Sequence, residues 1–278
     1  MIIVQFTEDF TMTDAFSQVI VVTSGKGGVG KTTTAANIGV GLAILGKKVV
    51  LIDTDIGLRN LDVALGLENV IVYDLVDVVT GVCGISQALV KDKRFEGLYF
   101  IPAAQTRDKD SVDSQQMKKL CQELKKEFDY IIIDCPAGIE QGFKNAIAGA
   151  DKAIVVATPD NTSMRDADRI VGLLEEYGIE DHMLLINRIR PDMVKKGYMM
   201  NIDEIIEMLG IDLIGVIPDD EEIIISANKG IPVVVNLKSK AGQGYRNVAK
   251  RLTGENVQLM EFEKRRLFGR IKKGFAGK

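Results

Sequence analysis

The segment Gly25-Lys26-Gly27-Gly28-Val29-Gly30-Lys31-Thr32 constrains this chain more than any other. It matches G-x-x-x-x-G-K-[ST], and it lies directly after the apolar run Val19–Thr23 and before the helical stretch Thr33–Leu45. That strand–loop–helix context is what the motif needs to work. The glycines let backbone N–H groups turn inward around phosphate oxygens. Lys31 supplies a charge for the β- and γ-phosphates, the Thr32 hydroxyl can ligate Mg²⁺, and the following helix adds its N-terminal dipole. Gly25 through Thr33 are therefore the expected nucleotide-binding residues, with ATP and Mg²⁺ as the expected cofactors.

The rest of the chain supports the fold that such a loop requires. Val19–Thr23, Lys48–Asp53, Leu98–Ile101, Tyr130–Asp134, Lys152–Ala157, Met183–Ile186 and Leu213–Ile217 are short, largely continuous apolar runs. Such runs suit strands covered on both faces. Between them, Met117, Leu120, Cys121, Leu124 and Phe128 follow the spacing of one helix face. Alternating strands and helices predict a single α/β domain with a mostly parallel central sheet flanked by helices. The expected division is a lead-in over 1–18, the nucleotide-binding domain over 19–254 and a basic tail over 255–278. Residues 1–11 precede a second methionine, Met12, and carry no assigned role.

Acidic groups are expected at the carboxyl ends of neighbouring strands. Asp134 closes Ile131-Ile132-Ile133 and precedes Cys135-Pro136-Ala137-Gly138, which suits a Mg²⁺-side carboxylate beside a segment able to sense a γ-phosphate. Asp53 and Asp55 end the second strand, where a carboxylate can orient an attacking water. Helix capping is the alternative role for Asp53, Asp55 and Asp62. Other chemistries are disfavoured: there is one histidine, and the three cysteines are widely spaced with no C-x-x-C pair.

Net charge is −4, but the segment from Leu259 to Lys278 holds seven Lys/Arg and two Glu, a local +5, which leaves −9 on the remainder. Within it, Leu267, Phe268, Ile271 and Phe275 form one apolar stripe among Lys264, Arg265, Arg266, Arg270, Lys272 and Lys273. That is a basic amphipathic helix suited to an anionic bilayer surface and too short and charged to span it. Gly269 and Gly274 lower its helix propensity, which favours ordering on a surface over ordering in solution. A terminal helix packed on the body and a nucleic-acid contact are the competing readings.

Lys26, at the second position of the loop, is not required by a generic phosphate loop. Here the sequence resembles the deviant Walker A ATPases, the ParA–MinD family of P-loop NTPases, with their K-G-G-x-G-K-[ST] pattern. Asp53-Thr-Asp-Ile-Gly-Leu-Arg-Asn-Leu-Asp62, Ile133-Asp-Cys-Pro-Ala-Gly-Ile-Glu140, Arg165-Asp-Ala-Asp-Arg-Ile170, Ile186-Asn-Arg-Ile-Arg-Pro191 and Val216-Ile-Pro-Asp-Asp220 extend the resemblance to the septum-site-determining branch. It runs from about Val19 to Lys273.

The resemblance implies a Mg²⁺-dependent ATP hydrolase that forms a homodimer when ATP is bound. Lys26 would reach the partner subunit's ATP, Lys31 would hold phosphate, and Thr32, Asp53 and Asp134 would form the metal side. Asp55 would orient water and Asp134 would be the Walker B acid. Asn187, Pro218 and Asp219 would form the base pocket, although Asn187 also suits a strand-end turn. Asp166 and Asp168 would lie on the helix that receives a MinC-like division inhibitor and a MinE-like topological regulator. The implied location is cytoplasmic, and on the cytoplasmic face of the cell membrane when ATP-bound. A ParA-type DNA-partition ATPase, a flagellar-placement relative and a non-enzymatic nucleotide switch stand as alternatives; the acidic body speaks against the first.

Overall fold

A computed structural model of the chain describes residues 17–108 and 111–260. Leu267, Phe268, Ile271 and Phe275 lie outside the described residues, as does the segment before Ser17.

Among the described residues, eight strands form one sheet: β1 (Gln18–Thr23), β2 (Val49–Asp53), β3 (Val90–Lys91), β4 (Leu98–Ile101), β5 (Tyr130–Asp134), β6 (Lys152–Ala157), β7 (His182–Ile189) and β8 (Asp212–Pro218). Eleven α-helices among the described residues connect them. These are α1 (Lys31–Ile44), α2 (Leu61–Leu65), α3 (Leu75–Val79), α4 (Ile85–Ala88), α5 (Ser114–Leu124), α6 (Gln141–Ile147), α7 (Asn161–Glu176), α8 (Pro191–Lys195), α9 (Ile202–Leu209), α10 (Glu221–Asn228) and α11 (Lys240–Leu252).

The strand order is β3-β4-β2-β5-β1-β6-β7-β8. Every pairing is parallel except β3 with β4. The predicted mostly parallel α/β sheet is therefore observed, and the seven predicted strands fall on β1, β2 and β4–β8. The first strand lies near the middle of the sheet, and the chain winds away from it in both directions. The loop after β1 sits at that switch of direction, where open α/β sheets bind their ligands.

Both faces of the sheet are covered. Val19 and Val21 point into a core shared with Leu120, Ile170 and Ile205 from α5, α7 and α9. Ile20 and Val22 point into a second core with Ile38, Leu42, Tyr245 and Val248 from α1 and α11. Ile38 and Leu42 are fully buried, which contributes about 1.5–3 kcal/mol each. In the stripe read over 117–128, Met117, Leu120, Cys121 and Leu124 are buried on α5, but the helix ends at Leu124. Phe128 reaches the same core from the turn beyond, with its ring edge-on to Tyr99 at 5.3 Å.

Candidate functional site

The phosphate-loop residues occupy the bend between β1 and α1. Gly30 caps α1 with φ +103°, and Gly28 has φ +78°. Both are left-handed conformations that a side chain resists. A Cβ on Gly30 would also strike the Asn187 amide nitrogen. Gly25 is required for a different reason: a Cβ there would collide with the side chain and carbonyl of Asp166 on α7. The loop is thus pressed between β7 and α7.

Lys31 is buried, and its ammonium donates to the Ser24 hydroxyl at 3.0 Å. Ser24 in turn donates to the Lys26 carbonyl at 2.8 Å. The charge is held inside the curl of the loop before any phosphate arrives, so little reorganisation is needed. Asn187 is also buried: its amide donates to the Val29 carbonyl at 2.8 Å, and its oxygen accepts from Arg188 N–H at 3.0 Å. Arg188 takes φ +60° at an irregularity in the β7–β8 pairing, a conformation costly for a non-glycine residue. Asn187 therefore sits inside β7, at that irregularity and not in the strand-end turn its sequence context also suited, and braces the loop. Pro218 ends β8 buried, and Asp219 is exposed beside Arg190, 3.9 Å from its guanidinium.

Asp53 and Asp134 stand side by side in the β2–β5 register, both fully buried. Burial raises the Asp53 carboxyl to about 7, against hydrogen bonds from the backbones of Asp55 at 2.9 Å and Leu61 at 3.2 Å. Burial and the neighbouring Asp53 also raise Asp134 well above the usual carboxylate range, while the Thr32 hydroxyl and the Lys31 charge oppose the rise. One oxygen of Asp134 is buried with no hydrogen-bond partner. Two adjacent buried carboxylates, an unpartnered oxygen and a hydroxyl form a set that a divalent cation satisfies. No cluster of three or more His, Cys, Asp or Glu could hold a metal among the described residues. Mg²⁺ needs no such cage, because phosphates and water complete its shell.

Asp55 follows, half-buried, and lines a cleft with Thr54, Pro136, Ala137 and Glu140. Its carbonyl accepts from Leu58 and Arg59 at 3.1 and 3.2 Å, which curls the segment back. The expected capping by acidic residues holds in part. Asp53 accepts from the first N–H of α2, whereas Asp62 lies inside α2 and takes Arg59 Nε at 2.6 Å. Thr54 ties the two halves together by donating to the Asp134 carbonyl at 2.6 Å.

Lys26 remains at the mouth. Its ammonium is 3.4 Å from Asp160, with side-chain exposures of 36% and 51%. Asp160 caps α7 through Ser163 N–H at 2.9 Å and accepts from Thr158 at 2.6 Å. Burial works against its charge, but these bonds and the lysine outweigh it and hold the carboxyl below the usual value. Asp166 is half-buried against the loop, and Asp168 is exposed on the same helix. Cys135 is buried at the end of β5, its thiol pushed up to about 12 by burial, and it packs as a small apolar residue. Sequence reasoning missed Ser24, Thr54 and Asp160. A hydroxyl directly before the loop and another between two acids were visible signals, but Asp160 lies 134 residues from Lys26 and carried none.

Comparison with known proteins agrees with this geometry. The sequence pattern of the CobQ/CobB/MinD/ParA nucleotide binding domain matches residues 20–233. The septum site-determining protein MinD of Bacillus subtilis is 59% identical over 262 residues, covering 93% of this chain and 98% of that protein. The structure of the MinC:MinD cell division protein complex of Aquifex aeolicus aligns with TM-score 0.83 at 47% identity, over 88% of this chain and 99% of that one. MinD of Pyrococcus horikoshii complexed with Mg-ADP aligns with TM-score 0.77 at 29% identity, over 85% of this chain and 96% of that one. The chain belongs to the MinD/ParA family of nucleotide-binding ATPases, in its septum-site-determining branch.

Proposed function

We propose that this protein is a Mg²⁺-dependent ATPase that dimerises on ATP, seats on the membrane through its basic tail, and there recruits a MinC-like inhibitor so that septa do not form at the poles. The observation that carries the reading is Lys26: a cation at the mouth of a phosphate loop, held by one partly exposed carboxylate rather than by its own site. Exposed ion pairs are weak, about 0–1 kcal/mol, so a phosphate from a second subunit can take the lysine from Asp160.

Within one subunit, Lys31 and the loop N–H groups bind and orient the phosphates. Thr32, Asp53 and Asp134 would hold Mg²⁺, which supplies charge neutralisation when bound. Asp55, across the cleft from Pro136 and Ala137, positions the attacking water and accepts its proton. Asn187 braces the loop and, with Pro218 and Asp219, forms the base side. Asp166 and Asp168 present α7 to the partner proteins, and Asp166 touches Gly25, so a partner on α7 bears directly on the loop. The relative solved with MinC supports the partner assignment. The relative solved with Mg-ADP supports the metal.

Two tails on one dimer gain avidity of order 10²-fold over one, so ATP sets membrane residence. The test is co-sedimentation with anionic liposomes. Pelleting in ATP, little in ADP, and little for Lys26→Ala in either nucleotide is expected. Equal pelleting in ATP and ADP would break the link between dimerisation and the membrane.

A further inference from the structure

The last described residues do not run away from the body. Arg251, near the end of α11, donates to the carbonyls of Val257 at 2.9 Å, Gln258 at 2.7 Å and Ile214 of β8 at 2.8 Å. This guanidinium fastens the chain to the edge strand and turns it back along α11. Met260 then lies against Gly244, its sulfur 3.6 Å from where a Cβ would stand. The described chain therefore ends at Met260 against the first half of α11, the helix that the loop over 236–239 leads into.

That loop presents an unusual group to solvent. Leu237 is 81% exposed, with exposed Lys238 and Lys240 on either side of buried Ser239. It is braced rather than loose. Ser239 donates to Asp220 at 2.7 Å, Ala241 N–H donates to the same oxygen at 3.1 Å, and Arg246 donates to the Asn236 carbonyl at 3.0 Å. The two carboxylates that touch the loop are occupied: Asp220 by Ser239 and Ala241, and Glu222 by the Asn236 amide at 2.9 Å. Among the described residues, neither Lys238 nor Lys240 has an ion-pair partner. A held-out leucine followed by two cations that have no ion-pair partner among the described residues, at the start of the helix on which the last described residue packs, matches the surface of an anionic bilayer in both apolarity and charge.

We infer that the Leu237–Lys240 loop is a second lipid contact, which seats the body of the protein on anionic membrane next to the tail. The inference rests on the reading of the tail as a membrane anchor. Two contacts of fixed spacing would set the orientation of the ATPase body on the bilayer, which the tail alone would leave free.

The chain contains no tryptophan, so Leu237→Trp makes the loop its own reporter. With ATP and phosphatidylglycerol vesicles, the full-length variant is expected to shift its emission to the blue and to be quenched by brominated lipid. It should do neither with phosphatidylcholine vesicles. Leu237→Glu should weaken vesicle binding about tenfold while hydrolysis without vesicles stays unchanged. Phe268→Glu separates the two readings. Loss of binding for Phe268→Glu, with unchanged binding for Leu237→Glu and unshifted emission from Leu237→Trp, would overturn the loop and keep the tail. Unchanged binding for both would overturn both. A change for Leu237→Glu in ATP-dependent oligomeric state, with vesicle affinity retained, would assign the loop to a second copy and overturn the lipid contact.

Discussion

At the scale of the residue, the site depends on positions where one atom decides. Gly30 combines a left-handed backbone with the Asn187 amide where a Cβ would stand. Gly30→Ala is expected to cost at least the roughly 1–2 kcal/mol of an L-residue in that region. It should also push Asn187 off the Val29 carbonyl. Calorimetric titration should find nucleotide affinity lost, and thermal unfolding should find the melting temperature lowered. The phosphate-loop chemistry was legible because its residues are contiguous in sequence and each has one physical reason to be there. Asp53 and Asp134 were legible as acids at strand ends, but their adjacency was not, since it depends on β2 and β5 being neighbours. The holder of Lys26 was invisible for the same reason: Asp160 meets it only because β6 lies next to β1.

At the scale of the element, Asp220 and Arg94 do the most fastening. Asp220 caps α10 through Glu222 N–H and also takes Ser239 and Ala241 at the start of α11. Asp220→Ala should destabilise the fold by about 1–2 kcal/mol at neutral pH. Burial raises this carboxyl, but the hydrogen bonds outweigh it and hold it below its ordinary value of 3.8. Its ionised form is thus favoured in the folded state, and its contribution is whole above that value and lost as the pH falls through the depressed one. Denaturant unfolding of wild type and variant should converge in acid.

Arg94 pairs with buried Asp92 at 2.6 Å and donates to the Gly230 carbonyl at 2.9 Å and to the Leu65 carbonyl, so it joins the ends of α2 and α10. Removing one partner of a buried pair costs about 3–5 kcal/mol. Arg94 is itself partly exposed, so Arg94→Ala should cost about 2–3 kcal/mol in a urea titration. The long strands were legible because burial on both faces writes them as unbroken apolar runs. The two-residue β3 and the short helices α2, α3, α4 and α8 were not, because fewer than two turns or two pleats leave no period to read. These elements are held by contacts such as those of Arg94, which no local pattern records.

At the scale of the molecule, the sheet divides into a well-buried middle and a thin margin. β1, β5 and β6 pair on both sides and are covered by helices, whereas β3 is two residues at the edge. Amides of Ile20, Ile132 and Ile154 should exchange with deuterium only through global opening, and those of Val90 and Lys91 orders of magnitude faster. Exchange measured by nuclear magnetic resonance on the intact protein checks this. The parallel α/β class was legible from alternation alone. The winding order was not, since apolar runs of equal character carry no address.

The central position of β1 also bears on how the protein is made. The strand that leads into the phosphate loop is made before the other described strands, yet its hydrogen-bonding partners are Tyr130–Asp134 and Lys152–Ala157. At ~5–20 residues per second, those partners follow on the order of ten seconds later. Throughout that interval Val19-Ile-Val-Val is an unpaired apolar strand with both edges open. The phosphate loop therefore cannot be fixed in its sheet until Lys152–Ala157 has been made, and among the described strands the earliest is the one that waits longest for company.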